Sequence, residues 1–440
     1  MRYRLVGVFR LLVVLEPIKK SWIWFILPIN ISAEGLHTAI PLFVISLGGD
    51  IAEVSIITAM HYGAAALGAI FWGKILDKYH AKKAVLLITF SIILLSCLWL
   101  YYTTQLEPIY LISPLTGFFL VARSHVTQML VMETSPNNQW SRLFARTSIL
   151  STFGSLGAML IGVIWSLYFD IEQYFLICAL STGVALAISL QITKTHFHIE
   201  RSTIAHSIQG IHYIFSHFRI QHHFVFPRVP ELYDYKHIIT ILKGKTSHEI
   251  GFLFLTNFLF YFGSNIYFTA LTPFLKNLGI SDSTVFLLYL TQTTTMVGFF
   301  FAAPKIISKI GEERATMMAY MPRIMGVLIA AFMISAFIGI HSLLFTVLSM
   351  CLMVVGFSIY STANSVLFFK TIPKGFEGRY LGVNSSMVGT GVFVGALTAG
   401  FITKSFAYPL TFVVASLILF GSLILFRFYL RHRLSGRSVH

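Results

Sequence analysis

GKILDKYHAKK, residues 73–83, is a short basic stretch carrying one acid, set between two apolar runs too long for a soluble core. Such a stretch reads as a loop joining two transmembrane helices on the side where positive charge is retained. A worn copy, PKIISKIGEER, occupies residues 304–314, again between long apolar runs. Working outward from this pair, TAIPLFVISLG (38–48) matches TALTPFLKNLG (269–279) at the same offset. Further on, SPNNQWSR (135–142) matches IPKGFEGR (372–379) at a slightly larger one. The chain therefore contains two related halves.

Composition sets the class. Only 11% of the 440 residues are charged and 56% are hydrophobic, whereas a soluble domain carries roughly 25% charged residues. An all-α, multi-pass membrane protein is expected. Crossing the hydrocarbon as helix takes about 20 apolar residues, and twelve such runs can be placed: 22–47, 52–73, 82–104, 109–132, 144–168, 171–193, 250–275, 283–303, 315–338, 342–369, 380–403 and 407–428. The net charge of +15 sits in short clusters between these runs. It argues for topology and a lipid bilayer as partner, not for nucleic acid. Cys97, Cys178 and Cys351 all fall inside apolar runs without ligand spacing, so no metal and no disulfide framework is expected. GKT at 244–246 lacks the upstream glycine of a phosphate-binding loop, since Ile239 stands there. No cofactor is expected, and ATP is not expected to be the energy source. Residues 1–20 lack the cleavage pattern of a signal peptide.

Lys and Arg orient the chain. One side takes Arg2, Arg4, Arg10, Lys19 and Lys20, the hairpin lysines, Arg142, Arg146, the middle loop, Lys305, Lys309, Arg314, Lys370, Lys374, Arg379 and the basic tail. The other side holds only Lys276 and Lys404. Both termini are thus expected to be cytoplasmic. Because six is even, the two halves enter the membrane from the same side, as parallel repeats. The expected organisation is an arm at 1–21, a first six-helix half at 22–193, a basic His-rich cytoplasmic loop at 194–249, a second half at 250–428 and a tail at 429–440. Within the middle loop, Ile204, Ile208, Ile211, Phe215 and Phe218 fall at helical spacing and predict an amphipathic helix on the membrane face.

Two parallel halves, together with G-x-x-x-D-K-x-x-x-K-K between helices 2 and 3 (Gly73, Asp77, Lys78, Lys82, Lys83), resemble the major facilitator superfamily. The resemblance covers nearly the whole chain. It departs at His80, where the motif has glycine, and in the second copy, where Pro304 and Ser308 replace Gly73 and Asp77. It implies alternating access, a central cavity lined by helices 1, 4, 7 and 10, and a cytoplasmic gate at the hairpin. In that gate Asp77 would meet Arg142 or the start of helix 11 near Arg379.

Three ionisable groups lie near mid-span: Glu34 in helix 1, His61 in helix 2 and Arg123 in helix 4. A charge there costs at least about 2.5–3.5 kcal/mol and normally faces a cavity or a partner. Asn30, Glu34, His37 and Pro41 recur at spacings that put them on one face of helix 1, the face the resemblance turns toward the transport path. Glu34 is the first choice for a proton-coupling carboxylate, with His61 and Arg123 beside it. The alternative is a static Glu34–Arg123 pair. Arg123 also suits an anionic substrate. The position at which the resemblance would put the arginine of proton antiporters falls instead near Ser113 and Pro114. His61 and His125 are either proton relays or packing histidines.

The second half offers neutral polarity at matching depths. Asn257, Tyr261, Ser264 and Asn265 lie in helix 7, Gln292 in helix 8, and Tyr360 and Asn364 in helix 10. Along the repeat, Glu34 corresponds to Asn265, His61 to Gln292 and Arg123 to Tyr360. This pattern suggests a division of labour, with the coupling ion in the first half and a polar substrate held by Asn257, Tyr261, Asn265, Gln292, Tyr360 and Asn364 together with Asn30, His37 and Arg123. The competing reading makes these residues bonds between helices. Arg323, in helix 9, is expected to snorkel toward the headgroups.

The expected function is secondary transport of a small organic solute across the cell membrane by a monomer, coupled to protons. Export is favoured by the retained hairpin motif and by 41 Phe and 19 Tyr. The alternative is uptake of a sugar, organic anion or other metabolite, and a further one is a transport-inactive sensor. Nothing in the spans pairs a nucleophile with a base, so no enzyme is expected.

Overall fold

The computed structural model describes residues 21–79, 81–134, 140–192, 248–334, 340–371 and 377–437. The amino-terminal arm and most of the middle loop, with its expected amphipathic helix, lie outside the described residues. Among the described residues, twelve helices are long and apolar enough to cross a membrane. They are α1 (Ile26–Ser46, entered through a 3-10 turn at Ser21–Phe25), α2 (Ile51–Tyr79), α3 (Lys82–Tyr102), α4 (Glu107–Thr134), α5 (Trp140–Trp165) and α6 (Ile171–Leu190). The second set is α7 (His248–Asn277), α8 (Asp282–Ile310), α9 (Glu312–Ile329, extended by a π turn at Ala330–Ile334), α10 (Ile340–Thr371), α11 (Glu377–Phe406) and α12 (Tyr408–Arg437).

One expectation needs correction. Residues 73–83 form less loop than their charge suggests, because α2 runs on to Tyr79 and α3 begins at Lys82. At the other end of the chain, α12 continues as helix to Arg437, into the stretch expected as the tail. An apolar run marks where a helix leaves hydrocarbon, whereas the helix itself continues as long as its own hydrogen bonds are the best available. At the other face, helix starts follow local chemistry. Asp50 Oδ1 accepts from Ala52 N at 2.6 Å while Glu53 Oε2 accepts from Asp50 N at 2.8 Å, a reciprocal cap on α2.

Packing obeys the repeat. In the first half α1 lies on α5 and α6, α2 on α4, and α3 on α4 and α6. In the second, α7 lies on α11 and α12, α8 on α10, and α9 on α10 and α12. Exchanging the halves carries the contact of α2 with α11 onto that of α8 with α5, and these two pairs form the main seams between halves. Large apolar side chains such as Leu67, Leu95, Phe153, Leu180, Phe401 and Leu417 are more than half exposed, as suits a surface that faces lipid rather than water.

The side chains described across the seams meet at the face opposite the basic clusters. Ser283 Oγ donates to Val163 O at 2.9 Å, and the Tyr174 ring stands 5.1 Å from that of Phe286. A Cβ on Gly162 would lie 2.2 Å from the Phe286 ring, so α5 and α8 approach this closely only because residue 162 has no side chain. On the other seam Lys404 Nζ is 3.8 Å from Asp50 Oδ2, both residues being well exposed.

Two predictions concern this face. Gly162→Val overpacks the seam, a change worth about 1–3 kcal/mol, and should part α5 from α8. A membrane-impermeant maleimide should then label Ser283→Cys several-fold faster in the Gly162→Val background, and unchanged labelling would show that the seam tolerates the methyls. The second prediction concerns pH. The Glu53 side chain above all, then the backbone N–H groups of Ala52 and Glu53 and the field of Lys404, hold the Asp50 carboxyl below its ordinary value despite its partial burial. A carboxyl lowered in this way contributes its ion pair fully above the ordinary carboxylate value, and loses it only as pH falls through the lowered one. Between about pH 5 and 8 the Asp50–Lys404 contact is therefore constant. Asp50→Asn should leave the shape of any pH profile of solute movement across that window unchanged, and a displaced profile would place a pH sensor at this seam.

Candidate functional site

Between the halves lies a cavity of ≈ 180 Å³, walled by α1, α2, α4, α7 and α8. Its first-half wall depends on how tightly α2 and α4 interlock. A Cβ on Gly117 would lie 2.2 Å from His61 O, and this close approach sets the His61 ring against α4. There Nδ1 donates to Ser113 O at 2.9 Å, with Thr116 Oγ1 at 3.4 Å. A carbonyl can only accept, so Nδ1 carries a proton and Nε2 remains for the cavity.

On α1, Glu34 is 7% exposed and lies on the cavity wall with His37 and Pro41. Ser155 stands beside its carboxyl. One turn on, the His37 ring is hydrogen-bonded to the Tyr62 hydroxyl. Arg123 shares the wall and reaches Glu34 through its field rather than by contact. Its Nη1 donates to Ile29 O at 3.1 Å. The static Glu34–Arg123 ion pair is therefore not formed. The opposite wall is neutral: Asn265, Thr269 and Thr272 of α7 and Tyr289 of α8. Thr272 Oγ1 and Tyr289 OH are bonded at 2.9 Å, and Asn265 Nδ2 donates to Val392 O of α11 at 2.7 Å.

The sequence candidates divide accordingly. Glu34, His37, His61, Arg123 and Asn265 come together around the cavity. Asn30 does not, because its carboxamide bridges α1 and α5, Oδ1 accepting from Ser151 Oγ at 2.9 Å. Asn257, Tyr360 and Asn364 form a separate knot. Asn257 Oδ1 accepts from Tyr360 OH at 2.6 Å and from Asn364 Nδ2 at 2.7 Å, and its Nδ2 donates to Asn384 Oδ1 at 2.5 Å. Tyr261 packs edge-on against Phe357. Gln292 is buried on α8 away from the described wall. His125 bonds back to Val121 O of its own helix at 3.1 Å. Of the gate residues, Lys83 Nζ donates to Leu190 O at 2.6 Å, closing the end of α6, Lys82 is buried and Gly73 is half-buried. The side chains of Asp77, Lys78, Arg142 and Arg379 lie outside the described ones. Tyr62, Thr269, Thr272 and Tyr289 are wall residues that sequence reading missed. Their only signal in the sequence was position: Tyr62 adjoins His61, Thr269 and Thr272 follow Asn265 by one and two turns, and Tyr289 precedes Gln292 by one.

Arg323 corrects a sequence expectation outright. It does not snorkel, being 2% exposed. Nε donates to Ser264 Oγ at 2.7 Å and Nη1 to Met353 O at 2.8 Å. The guanidinium carbon lies 4.5, 5.3 and 5.8 Å from the ring centroids of Phe260, Phe357 and Phe268. Bonds to a charged group at about 1.5–3 kcal/mol each and ring contacts at about 0.5–2 kcal/mol each together outweigh the insertion penalty. The cation thereby ties α9 to α7 and α10.

The sequence profile of the Major Facilitator Superfamily matches residues 20–332 and 253–439. No curated protein matches the chain by sequence. Among solved structures it is similar to the nucleoside transporter NupG, with a TM-score of 0.70 and 15% identity over 94% of this chain and 99% of that one. A D-xylose-proton symporter follows at 0.66 and 14%, covering 92% and 95%. The partially occluded inward-open xylose transporter XylE from E. coli gives 0.63 and 10%, covering 92% and 96%. At these identities the likeness is one of fold.

If Arg323 braces three helices, Arg323→Ala should cost about 2–5 kcal/mol, in the range of large buried truncations. Arg323→Met, which keeps most of the volume, should cost clearly less. Thermal unfolding in detergent reads both, and an unaltered Arg323→Ala protein would remove the brace.

Proposed function

The chain belongs to the major facilitator superfamily, and from that premise we propose that it is a proton-coupled permease carrying a small polar, uncharged solute by alternating access. One observation carries the reading: a buried carboxyl, Glu34, on the cavity wall, in no ion pair among the described residues and across the space from neutral hydrogen-bonding groups. A carboxyl so placed exchanges its charge with the water that reaches it, and protonation lowers the cost of closing the cavity around it.

The groups suited to hold the proton and those suited to hold the solute are different residues on different halves. Both ligands can then be bound at once, which is the requirement for symport and hence for uptake along an inward proton gradient. Export would instead require the substrate to compete with the proton for Glu34, as a lipophilic cation would. The retained hairpin motif and aromatic richness favour that second reading, and the small, neutral opposite wall argues against it. The solute class follows from the same wall: hydroxyl and carboxamide groups suit sugars and nucleosides, the classes named for the xylose and nucleoside transporters of like fold. Asp77, Arg142 and Arg379 belong to this proposal as the gate on the basic face, which we place in the cytoplasm.

Reconstitution in proteoliposomes tests the reading. With an inward proton gradient, D-xylose or uridine should accumulate in wild-type vesicles. Glu34→Gln should lose accumulation by about tenfold or more, a loss of about 1.4 kcal/mol or more in coupling, while solute exchange without a gradient persists. Accumulation undiminished in Glu34→Gln would remove the coupling role. Binding of tetraphenylphosphonium that strengthens as pH rises, with neither solute transported, would establish export instead.

A further inference from the structure

Gln292 sits on α8 one turn past Tyr289 of the cavity wall, and it is 1% exposed. Among the described residues, neither its Nε2 nor its Oε1 has a hydrogen-bond partner. A carboxamide has two donors and an acceptor with two lone pairs, and leaving all of them unmade in a low-dielectric interior is strongly unfavourable.

The repeat explains how this comes about. His61 is its first-half counterpart, and α4 answers His61 with Ser113 O and the Thr116 hydroxyl. The register fixed by the 135–142 and 372–379 match puts Met350 and Met353 of α10 where α4 has Ser113 and Thr116. Both methionines are buried, the Met353 side chain packs against Gly326 of α9, and Met353 O is already taken by Arg323 at 2.8 Å. The neighbouring polar groups on α8 are also occupied: Thr293 Oγ1 turns back to Tyr289 O at 2.7 Å, and Thr295 Oγ1 lies 3.4 Å from Cys351 Sγ. Thr293 and Thr295 are thus satisfied beside a Gln292 carboxamide that is not.

We propose that Gln292 is a specificity-determining residue, whose carboxamide reads a solute presenting a donor and an acceptor side by side: a lactam or imide edge, as on a pyrimidine base. This rests on the permease reading above and narrows its solute class. Such an edge matches a carboxamide with two parallel hydrogen bonds, one in each direction, and so fills both vacancies with one ligand. Tyr289, one turn before Gln292 on α8, lines the cavity, with its hydroxyl bonded to Thr272.

The test uses purified wild type, Gln292→Leu and Gln292→Glu with uridine, 3-methyluridine and D-xylose as probes, read by calorimetric binding and by exchange in vesicles. Wild type should bind uridine about tenfold or more tighter than 3-methyluridine, which lacks the imide donor. Gln292→Leu should bind the two alike at the weaker level. Because the leucine removes unpartnered polar atoms, its thermal midpoint should equal or exceed that of wild type, which separates lost recognition from lost folding. Gln292→Glu, whose acid form keeps one donor beside an acceptor and whose carboxylate loses the donor, should keep the preference for uridine at low pH and lose it as pH rises. Preference for uridine surviving in Gln292→Leu would overturn the assignment. Proton-driven transport of D-xylose with no binding of uridine would also overturn it while leaving the permease standing. Failure of all solute transport would remove the permease reading itself.

Discussion

Inside a bilayer, helices gain almost nothing from the hydrophobic effect by touching one another, because lipid tails are as apolar as leucine. Close backbone approach and hydrogen bonds between helices must hold the bundle together, and this requirement decides which polar residues remain available for transport. Asn30, Asn257, Tyr360, Asn364 and even Arg323 are committed to helix contacts. Among the described residues, Glu34 forms no ion pair and Gln292 has no hydrogen-bond partner at either end of its carboxamide. Polarity at depth is thus a poor guide to function until its partners are known.

The fold was legible because its signals extend over long stretches. Twelve apolar runs, one-sided Lys and Arg, and two matching segments at equal offset are each repeated many times along the chain, so local irregularity does not blur them. The chain ends of helices were less legible, since charge marks the edge of hydrocarbon and not the end of hydrogen bonding, as α2 shows by running to Tyr79. For the site, the α1 face was readable from spacing at Glu34 and His37. Asn30 fell off that face because α5 offers Ser151 at its level, which no pattern within α1 encodes.

Arg323 shows the limit most clearly. Nine residues past Arg314, it sits where a long side chain ordinarily reaches headgroups. Three phenylalanine faces, the Ser264 hydroxyl and the Met353 carbonyl, drawn from α7 and α10, make the interior the better solvent for this cation. Those residues are scattered over almost a hundred positions of sequence. Their convergence is a product of the tertiary fold.

The two halves share a scaffold and differ in what they leave unsatisfied. At the level where α2 carries His61, α4 supplies a carbonyl and a hydroxyl, and His61 lines the cavity. At the matching register α10 carries Met350 and Met353, and among the described residues the carboxamide of Gln292 has no partner. A duplicated six-helix unit begins with equivalent cavities on either side of its axis. Met350 and Met353 stand in the register of Ser113 and Thr116, so α10 lacks the hydroxyl with which Thr116 of α4 answers His61. Asymmetry of this kind changes what the cavity can bind while the seams, on which alternation depends, keep their shape.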